Sequence, residues 1–340
     1  MQAINSARIK ERALQLGFSK VGIARPEGLS AELNHLQEWL AQEFNGEMKW
    51  MERDPAQRAD PRLFWPQARS VLVVALNYYT PHEHEVTRVG TGSVSDRIKG
   101  DADLAGATGK VSRYAWGDDY HDILADRLRE LLSWIKTQWP EAEGKVCVDI
   151  QPVMDKAWAA RAGLGWIGKH TNLITNEFGS WVFIGELLLN LDLETEKAEV
   201  ADQCGSCTLC IDACPTGAIV EPYVLDANLC ISYLTIESRA AEIRPEMTEQ
   251  LEGWVYGCDI CQDVCPWNQM TPVTPELRFQ PRLGNVDASL SEIKQLNPES
   301  YAQRFRGSAM KRAKLAGLQR NARALIEAAG AISKDIHQGR

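Results

Sequence analysis

Apolar residues divide the first half of the chain into alternating strands and helices. The runs VLVVAL at 71–76 and WVFIGELLL at 181–189 are apolar at nearly every position, which is typical of strands buried on both faces. HDILADRLRELLSWIKTQW at 121–139 repeats its apolar residues at helical spacing, and DKAWAARA at 155–162 predicts a second helix. KVCVDI at 145–150 predicts a short strand. This alternation predicts one α/β domain.

The second half of the chain changes character twice. Eight of the nine cysteines lie within residues 195–275, and a Pro-rich stretch, TPVTPELRFQP, ends that segment. Beyond it the chain is helical and basic, and LAGLQRNARALIEAAG at 315–330 resembles one helix of a helical repeat. We therefore predict an α+β protein with a domain over 1–194, a cysteine-rich module over 195–275 and a short helical region over 276–340.

Several features of the sequence indicate where in the cell the protein is found. No apolar run approaches the roughly 18 residues of a membrane span. The residues up to Gly17 predict an amphipathic helix and not a secretory signal. We therefore expect a soluble, cytoplasmic monomer without a membrane partner. Residues 88–110 are rich in Gly, Asp and Ser and predict a mobile surface loop.

The cysteine spacing indicates iron–sulfur clusters. The first run has the spacing C-x2-C-x2-C-x3-C-P of bacterial ferredoxins with [4Fe–4S] clusters, in Cys204, Cys207, Cys210 and Cys214. The second run, CDICQDVCP, has only three cysteines, Cys258, Cys261 and Cys265. Paired C-x2-C units also bind zinc, and nine cysteines could form disulfides, so both are alternatives. The two Cys-Pro endings and a reducing compartment favour clusters.

One ligand of the second run must come from elsewhere in the chain. Cys147 lies between valines of a predicted strand and is expected in the core. Cys230 lies between the two runs. If the chain has an insertion between the first and second ligands of the second run, Cys230 is that first ligand. In two-cluster ferredoxins the fourth cysteine of a run binds the other cluster. The predicted ligand sets are therefore Cys204, Cys207, Cys210 and Cys265 for the first cluster, and Cys230, Cys258, Cys261 and Cys214 for the second.

GLGWIG at 163–168 has the glycine spacing of a dinucleotide-binding turn but not its context. That turn follows a strand and opens a helix. Here a predicted helix precedes the motif, and the stretch KHTNLIT after it is extended. We interpret the motif as a tight turn, either purely structural or closely approached by a flat ligand.

Charge is distributed unevenly along the chain. The net charge of −9 argues against a general nucleic-acid coat. Residues 301–340 nevertheless contain nine Lys and Arg against two acidic residues. Such an excess predicts either a polyanion held at this end or a solvated helix face. The candidate phosphate contacts are Lys311, Arg312, Lys314, Arg320 and Arg323.

Seven motifs together resemble the epoxyqueuosine reductase family and extend over almost the whole chain. They are SRYAWGDDYHDIL, VDIQPVMDKAWAARAGLGWIGKHTNLI, FGSWVFIGELL, CGSCTLCIDACPTGAI, CISYLTIE, YGCDICQDVCPWN and RNARAL. The resemblance implies a cobalamin-dependent iron–sulfur reductase, related to reductive dehalogenases, that makes queuosine in tRNA from epoxyqueuosine. It also implies a corrinoid-binding catalytic domain, HEAT-like C-terminal helices that grip the anticodon stem-loop, and an external low-potential donor such as a flavodoxin or ferredoxin.

The resemblance implies that Asp149 is the proton donor. An epoxide oxygen leaves as water only after protonation, so the reaction needs an acid. Because an unperturbed Asp has a pKa of about 3.9, burial against a corrin face and a tRNA base is expected to hold this carboxyl neutral at neutral pH. The alternative is that Asp149, at the end of a strand, caps the following helix.

The resemblance also implies further cofactor contacts. The positions that should face the corrinoid or flank a cluster are Arg58, Ser112, Asp149, Lys169, Ser232 and Tyr256. The D-x-H-x-x-G motif that supplies a histidine to cobalt is absent, because Leu124 stands where the nearest match, Asp119 with His121, needs glycine. Base-off cobalamin without a protein ligand from that motif is therefore expected.

Two other functions compete with this one. An electron-carrying subunit would need the clusters, but neither a large α/β domain with Asp149 nor a basic tail. A dehalogenase-like enzyme acting on a small substrate would have no use for basic helices, and such enzymes usually carry an export signal. A corrinoid in the purified protein would exclude the first of these functions.

Overall fold

Short strands and helices alternate along the described chain. The structure is a computed structural model and describes residues 5–84, 107–195 and 200–338, with side chains up to residue 329. The strands are β1 (Lys20–Ala24), β2 (Ser70–Asn77), β3 (Thr108–Val111), β4 (Gly144–Cys147), β5 (Trp166–Ile167), β6 (Leu173–Ile174), β7 (Val182–Leu189), β8 (Ile219–Glu221), β9 (Val224–Leu225), β10 (Trp254–Tyr256) and β11 (Asp287–Ser289). The α-helices are α1 (Ser6–Gln15), α2 (Ser30–Ala41), α3 (Pro55–Ala59), α4 (Pro61–Phe64), α5 (Tyr120–Gln138), α6 (Asp155–Arg161), α7 (Leu209–Asp212), α8 (Ile231–Ile236), α9 (Pro245–Thr248), α10 (Ile260–Asp263), α11 (Leu290–Gln295), α12 (Pro298–Arg304) and α13 (Lys314–Gln338).

A four-stranded antiparallel sheet, in the order β1-β2-β7-β4, forms the centre of the N-terminal part. Every residue of β2 is buried. Its even-numbered residues from Leu72 to Leu76 pack in one core with α1 and α5, and its odd-numbered residues from Val71 to Ala75 pack in another with α6. Helices thus cover both faces, which explains why this strand is apolar throughout. The predicted helices and strands of this region are confirmed, with ends that differ by a few residues.

A second sheet joins all three predicted parts of the chain. β3 pairs in parallel with β10 and antiparallel with β11. The core around this sheet includes Trp116, Tyr256 and Phe305, one residue from each predicted part, and all three are fully buried. Because one sheet and one core cross both boundaries, the divisions near 194 and 275 do not separate independent folding units.

The C-terminal part is helical, as predicted. α11 packs against α13, and α13 also contacts α8 and β10. The basic helices are therefore attached directly to the cysteine-rich part. Among the described residues, no helix combines the length and the apolar character that crossing a membrane requires.

Two turn predictions have different outcomes. The loop predicted at 88–110 is wrong at its end, because Thr108 to Lys110 belong to β3; residues 88–106 lie outside the described part of the chain. GLGWIG leads from α6 into the β5–β6 hairpin and is not a nucleotide-binding turn. A Cβ on Gly165 would lie 2.0 Å from the Ile174 carbonyl oxygen, so the close approach of the two strands requires glycine there.

Candidate active site and iron–sulfur sites

Four cysteines from the two runs surround one cavity of about 280 Å³; they are Cys204, Cys207, Cys210 and Cys265. This is the set predicted for the first cluster, brought together because α7 and α10 pack against each other. A single ion needs a volume close to the roughly 30 Å³ of one water molecule, so the cavity suits a cluster better than one zinc ion. Among the described residues, no three His, Cys, Asp or Glu side chains converge on a single metal position.

The four cysteines predicted for the second cluster lie beside the first set; they are Cys214, Cys230, Cys258 and Cys261. Burial raises the pKa of the Cys230 thiol, and Cys214 adds to this effect. Burial also raises the pKa of Cys261, with contributions from Cys230, Cys210 and Cys214. Such mutual effects require neighbouring thiols, so the two sets adjoin. Cys147 instead lies fully buried against the central sheet, as its strand position predicted.

A larger cavity of about 810 Å³ separates the central sheet from the second cysteine set. Tyr114, Tyr120 and Phe183 supply aromatic surface to its wall. Ser232 and Gln262, which are close in sequence to Cys230 and Cys261, form the part of the wall nearest that set. A neighbouring cavity of about 680 Å³ shares four wall residues with it, Leu36, Met51, Lys156 and Thr171. The combined space suits a ligand larger than an ordinary small metabolite.

Asp149 projects into the larger cavity from a strained turn after β4. Its φ of +56° lies in the left-handed region, which is uncommon for a residue with a Cβ. Its carboxylate accepts a hydrogen bond from Tyr120 Oη at 2.6 Å and lies 3.5 Å from His121 Nε2. Helix α6 has no side-chain hydrogen bond at its N-cap residue, Met154. The alternative that Asp149 caps this helix is therefore wrong.

The neighbours of Asp149 favour its ionised form. Burial opposes the charge, but hydrogen bonds from His121 and Tyr120 lower the pKa of Asp149 below its ordinary value. Burial also opposes a charge on His121, yet hydrogen bonds to Asp119, 2.7 Å away, and to Asp149 raise the pKa of His121 to about 9. The expectation of a neutral Asp149 concerns the site with corrin and tRNA base bound, and it stays a prediction. Without these ligands, His121 is the protonated partner of this pair at neutral pH.

Two further carboxyl groups support the turn that carries Asp149. The Asp149 N–H donates to Asp155 Oδ1 at 3.3 Å. Burial, and then the charge of Asp149, raise the pKa of Asp155 to about 6. Glu186 on β7 is fully buried, and burial together with Asp155 raises its pKa well above the ordinary value. Burial and the nearby carboxyl group thus both favour the neutral form of Glu186, which reduces the repulsion between the two carboxyl groups.

The five other predicted cofactor residues lie in three different places. Arg58 and Ser232 line the larger cavity, as a corrinoid contact should. Lys169 instead lines the first cysteine cavity, where its Nζ donates to the carbonyls of Gly205 at 2.6 Å and Cys207 at 2.9 Å.

Ser112 and Tyr256 line neither of these cavities. Ser112 Oγ donates to the buried carboxylate of Asp259, next to Cys258. Tyr256 is fully buried and donates to the Ala309 carbonyl at 2.7 Å. Both residues therefore lie beside the second cysteine set, so of the two predicted locations they occupy the one that flanks a cluster and not the one that faces the corrinoid.

The basic residues of the tail divide into exposed and buried groups. Lys311, Lys314 and Arg323 are exposed. Arg312 is half-exposed and forms a two-pronged ion pair with Glu237, at 2.6 and 2.9 Å. Arg320 is only 4% exposed, and its guanidinium donates to three backbone carbonyls, those of Leu234, Ser238 and Ala240. The prediction that Arg320 contacts nucleic acid is therefore wrong, because its donors already stabilise the fold.

Sequence reasoning missed the partners of Asp149. Tyr120 and His121 appeared only in a failed match to a cobalt-binding motif. Asp155 and Glu186 appeared only as parts of a predicted helix and a predicted strand. A charged Glu inside the otherwise apolar run WVFIGELLL was the available signal for a buried functional carboxyl.

Two family profiles match the chain. The profile described as 4Fe-4S double cluster binding domain matches residues 203–268. The profile described as Epoxyqueuosine reductase QueG, DUF1730 matches residues 58–150. With the cysteine-lined cavity and the acid-bearing cavity beside it, the first match defines an iron–sulfur oxidoreductase.

Curated relatives give the particular family. The epoxyqueuosine reductase of Cellulophaga algicola is 43% identical over 317 residues, which cover 93% of this chain and 96% of that protein. The epoxyqueuosine reductase of a Synechocystis species is 44% identical over 293 residues, covering 86% and 94%. The chain belongs to the epoxyqueuosine reductase family.

Solved structures agree in fold. An epoxyqueuosine reductase crystallised with an epoxyqueuosine-modified tRNA stem loop matches with a TM-score of 0.83 and 27% identity, covering 96% of this chain and 83% of that one. The Bacillus subtilis enzyme, solved with its aspartate catalytic loop swung out of the active site, also matches with a TM-score of 0.83 and 27% identity, covering 97% and 83%.

Proposed function

We propose that this protein reduces epoxyqueuosine to queuosine at the wobble position of a tRNA anticodon, the last step in making queuosine. In this proposal residues of the larger cavity would hold base-off cobalamin, and the two cysteine sets would hold [4Fe–4S] clusters that supply it with electrons. The observation that carries this proposal is that the candidate acid and the second cysteine set meet at one cavity. Asp149 lines it together with Ser232 and Gln262, which follow Cys230 and Cys261 in sequence. The direct test is conversion of an epoxyqueuosine-bearing stem-loop, designed at the end of the Discussion.

The residues of the larger cavity fit a corrinoid. Arg58 Nε and Glu32 Oε2 are buried in its wall without a hydrogen-bond partner in the described part of the chain. Buried polar atoms are normally paired, so these two indicate a polar ligand. Arg58 is held over the Trp50 ring at 5.1 Å, and it would bind the ligand periphery together with Ser232. When bound, cobalamin would supply the low-potential electrons that open the epoxide.

The protein's own part of the reaction is proton delivery. Two electrons and two protons convert the epoxide into a cyclopentene and water, and the departing oxygen must be protonated. Asp149 is the group exposed to the substrate side, with 60% of its side chain accessible. His121 stores the proton, and Asp149 Oδ2, 3.5 Å away, passes it to the substrate oxygen. The supporting fact is that His121 lies between two carboxylates that favour its charged form.

Electrons enter at the first cluster in this proposal. The first cysteine cavity is lined by Leu209, which is half-exposed at the surface, whereas residues beside the second set line the larger cavity. A small external electron-transfer protein such as a flavodoxin or ferredoxin would therefore reduce the first cluster, and the second would pass electrons inward. A function as an electron carrier alone leaves the larger cavity and its acid unexplained. We also propose that the enzyme works as a cytoplasmic monomer.

Lys311, Arg312, Lys314 and Arg323 would contact the phosphates of the stem-loop. Glu237, and more weakly Asp149, raise the pKa of the Arg312 guanidinium. A solved relative bound to a tRNA stem loop supports the substrate class.

Neutralising Lys311, Arg312 and Lys314 together, each to Gln, is expected to weaken stem-loop binding. Four phosphate contacts give a slope of log K against log salt of about −2.8, and losing three contacts flattens it by about 2. The matched control neutralises Arg8, Arg129 and Lys136, three exposed residues on or beside α5. Equal affinity and slope in both variants would show that the tail charges only solvate a helix face.

A further inference from the structure

The motif GLGWIG-K-H at 163–170 remains without a role in the proposed reaction, yet it forms one wall of the first cysteine cavity. Lys169 and His170 line the cavity together with the four cysteines. Trp166 packs in the same small cluster as Cys265 and Cys204, with its ring against Trp267 at a centroid distance of 4.9 Å.

His170 is held in one tautomer. Its Nδ1 accepts a hydrogen bond from the Asn172 N–H at 3.2 Å. A ring nitrogen that accepts carries no hydrogen, so in the neutral ring Nε2 must carry it. His170 is therefore a neutral donor through Nε2.

That donor has no partner within the described part of the chain. His170 is only 2% exposed, and its Nε2 is buried and unpaired. The indole Nε1 of Trp166, which is 3% exposed, is buried and unpaired as well. Buried N–H groups in folded proteins are normally paired, because an unpaired one loses its hydrogen bond to water without replacing it. A buried donor without a partner on the wall of a cysteine-lined cavity indicates an acceptor inside that cavity.

We propose that His170 Nε2 donates a hydrogen bond to a sulfur of the first cluster and thereby raises the reduction potential of that cluster. The inference rests on the proposed function, since it requires a cluster bound by Cys204, Cys207, Cys210 and Cys265. Hydrogen bonds to cluster sulfurs are one of the determinants of potential. A donor favours the reduced cluster because that form carries one more negative charge. The cluster nearest the surface would then accept an electron more readily from an external donor.

The test compares His170→Asn with His170→Gln in the anaerobic holoprotein with both clusters. Asn can still accept from the Asn172 N–H but is too short to donate at the Nε2 position, whereas Gln reaches that position with an N–H. Redox titration followed by EPR should show an approximately tenfold smaller equilibrium constant for reducing the first cluster in His170→Asn, about 59 mV for one electron. His170→Gln should restore most of this change, and the second cluster should titrate as in the wild type.

A second measurement tests the hydrogen bond itself. Pulsed EPR of the reduced protein after exchange into D2O should detect a deuteron coupled to the first cluster in the wild type and lose that coupling in His170→Asn. The inference would be overturned if His170→Asn kept its full iron content and showed the same first-cluster potential and the same deuteron coupling as the wild type. The assignment of the cluster ligands would then still stand. If the reconstituted wild-type protein held no cluster at the first cysteine set, that result would instead contradict the proposed function.

Discussion

Asp149→Asn is expected to lower turnover by at least about 10²-fold, the usual contribution of a positioned acid, while both clusters and stem-loop binding remain. Asn tolerates the left-handed backbone at this position as well as Asp does. Its side-chain oxygen can still accept from Tyr120, but it cannot pass a proton from His121 to the substrate. Single-turnover assays of the reduced protein would measure the chemical step directly.

The control for this variant is Asp126→Asn, which changes the same charge on the exposed face of α5. It should leave turnover unchanged. Near-normal turnover in Asp149→Asn would show that another group protonates the substrate oxygen.

The pH dependence tests His121 as the proton store. Because its pKa is raised to about 9 from an ordinary value of about 6.5, its ion pairs stabilise the fold fully below about pH 6.5 and are lost as pH rises towards 9. Turnover should fall as pH rises through about 9, and His121→Gln should have low turnover without that fall. A wild-type profile that stays flat through this range would contradict the role.

Cys230→Ala is expected to abolish turnover and remove the second cluster. The wild type should hold roughly eight irons in two [4Fe–4S] clusters, and the variant about half as many. The first set does not include Cys230, so its EPR signal should persist. Iron analysis and EPR of anaerobically reconstituted protein would measure both effects.

Cys147→Ala is the matched control for the cysteine prediction. Cys147 is fully buried in the core beside the central sheet and belongs to neither set. Its loss should change neither iron content nor turnover. Equal iron content in Cys230→Ala and the wild type would refute the assignment of Cys230 as a ligand.

Local patterns predicted much of the fold and both cysteine sets. The run 71–76 predicted a strand because a strand in a sheet covered on both faces needs apolar residues at every position. The cysteine spacing predicted the set around the first cavity because ferredoxin ligands keep a fixed order along the chain. β3 was missed because its few residues are not strongly apolar and its partners, β10 and β11, lie far away in sequence.

The details of the site depend on tertiary contacts that no local pattern reveals. Arg320 has the composition of a phosphate contact, but the packing of α13 against α8 turns it towards backbone carbonyls. The protonation state of Asp149 depends on His121, which the start of α5 brings beside the end of β4. The family resemblance pointed to Asp149, and only the fold shows that His121 Nε2 lies 3.5 Å from its carboxylate.

The central claim is that this chain reduces epoxyqueuosine in tRNA with electrons that pass through its clusters to cobalamin. To test it, the reconstituted protein is incubated anaerobically with cobalamin, a low-potential reductant and a stem-loop that carries epoxyqueuosine. Mass spectrometry of the nucleosides then measures the product. We expect loss of the mass of one oxygen atom, to give queuosine, and no conversion when cobalamin is omitted. Unchanged epoxyqueuosine in protein that holds both clusters, cobalamin and the stem-loop would contradict the account.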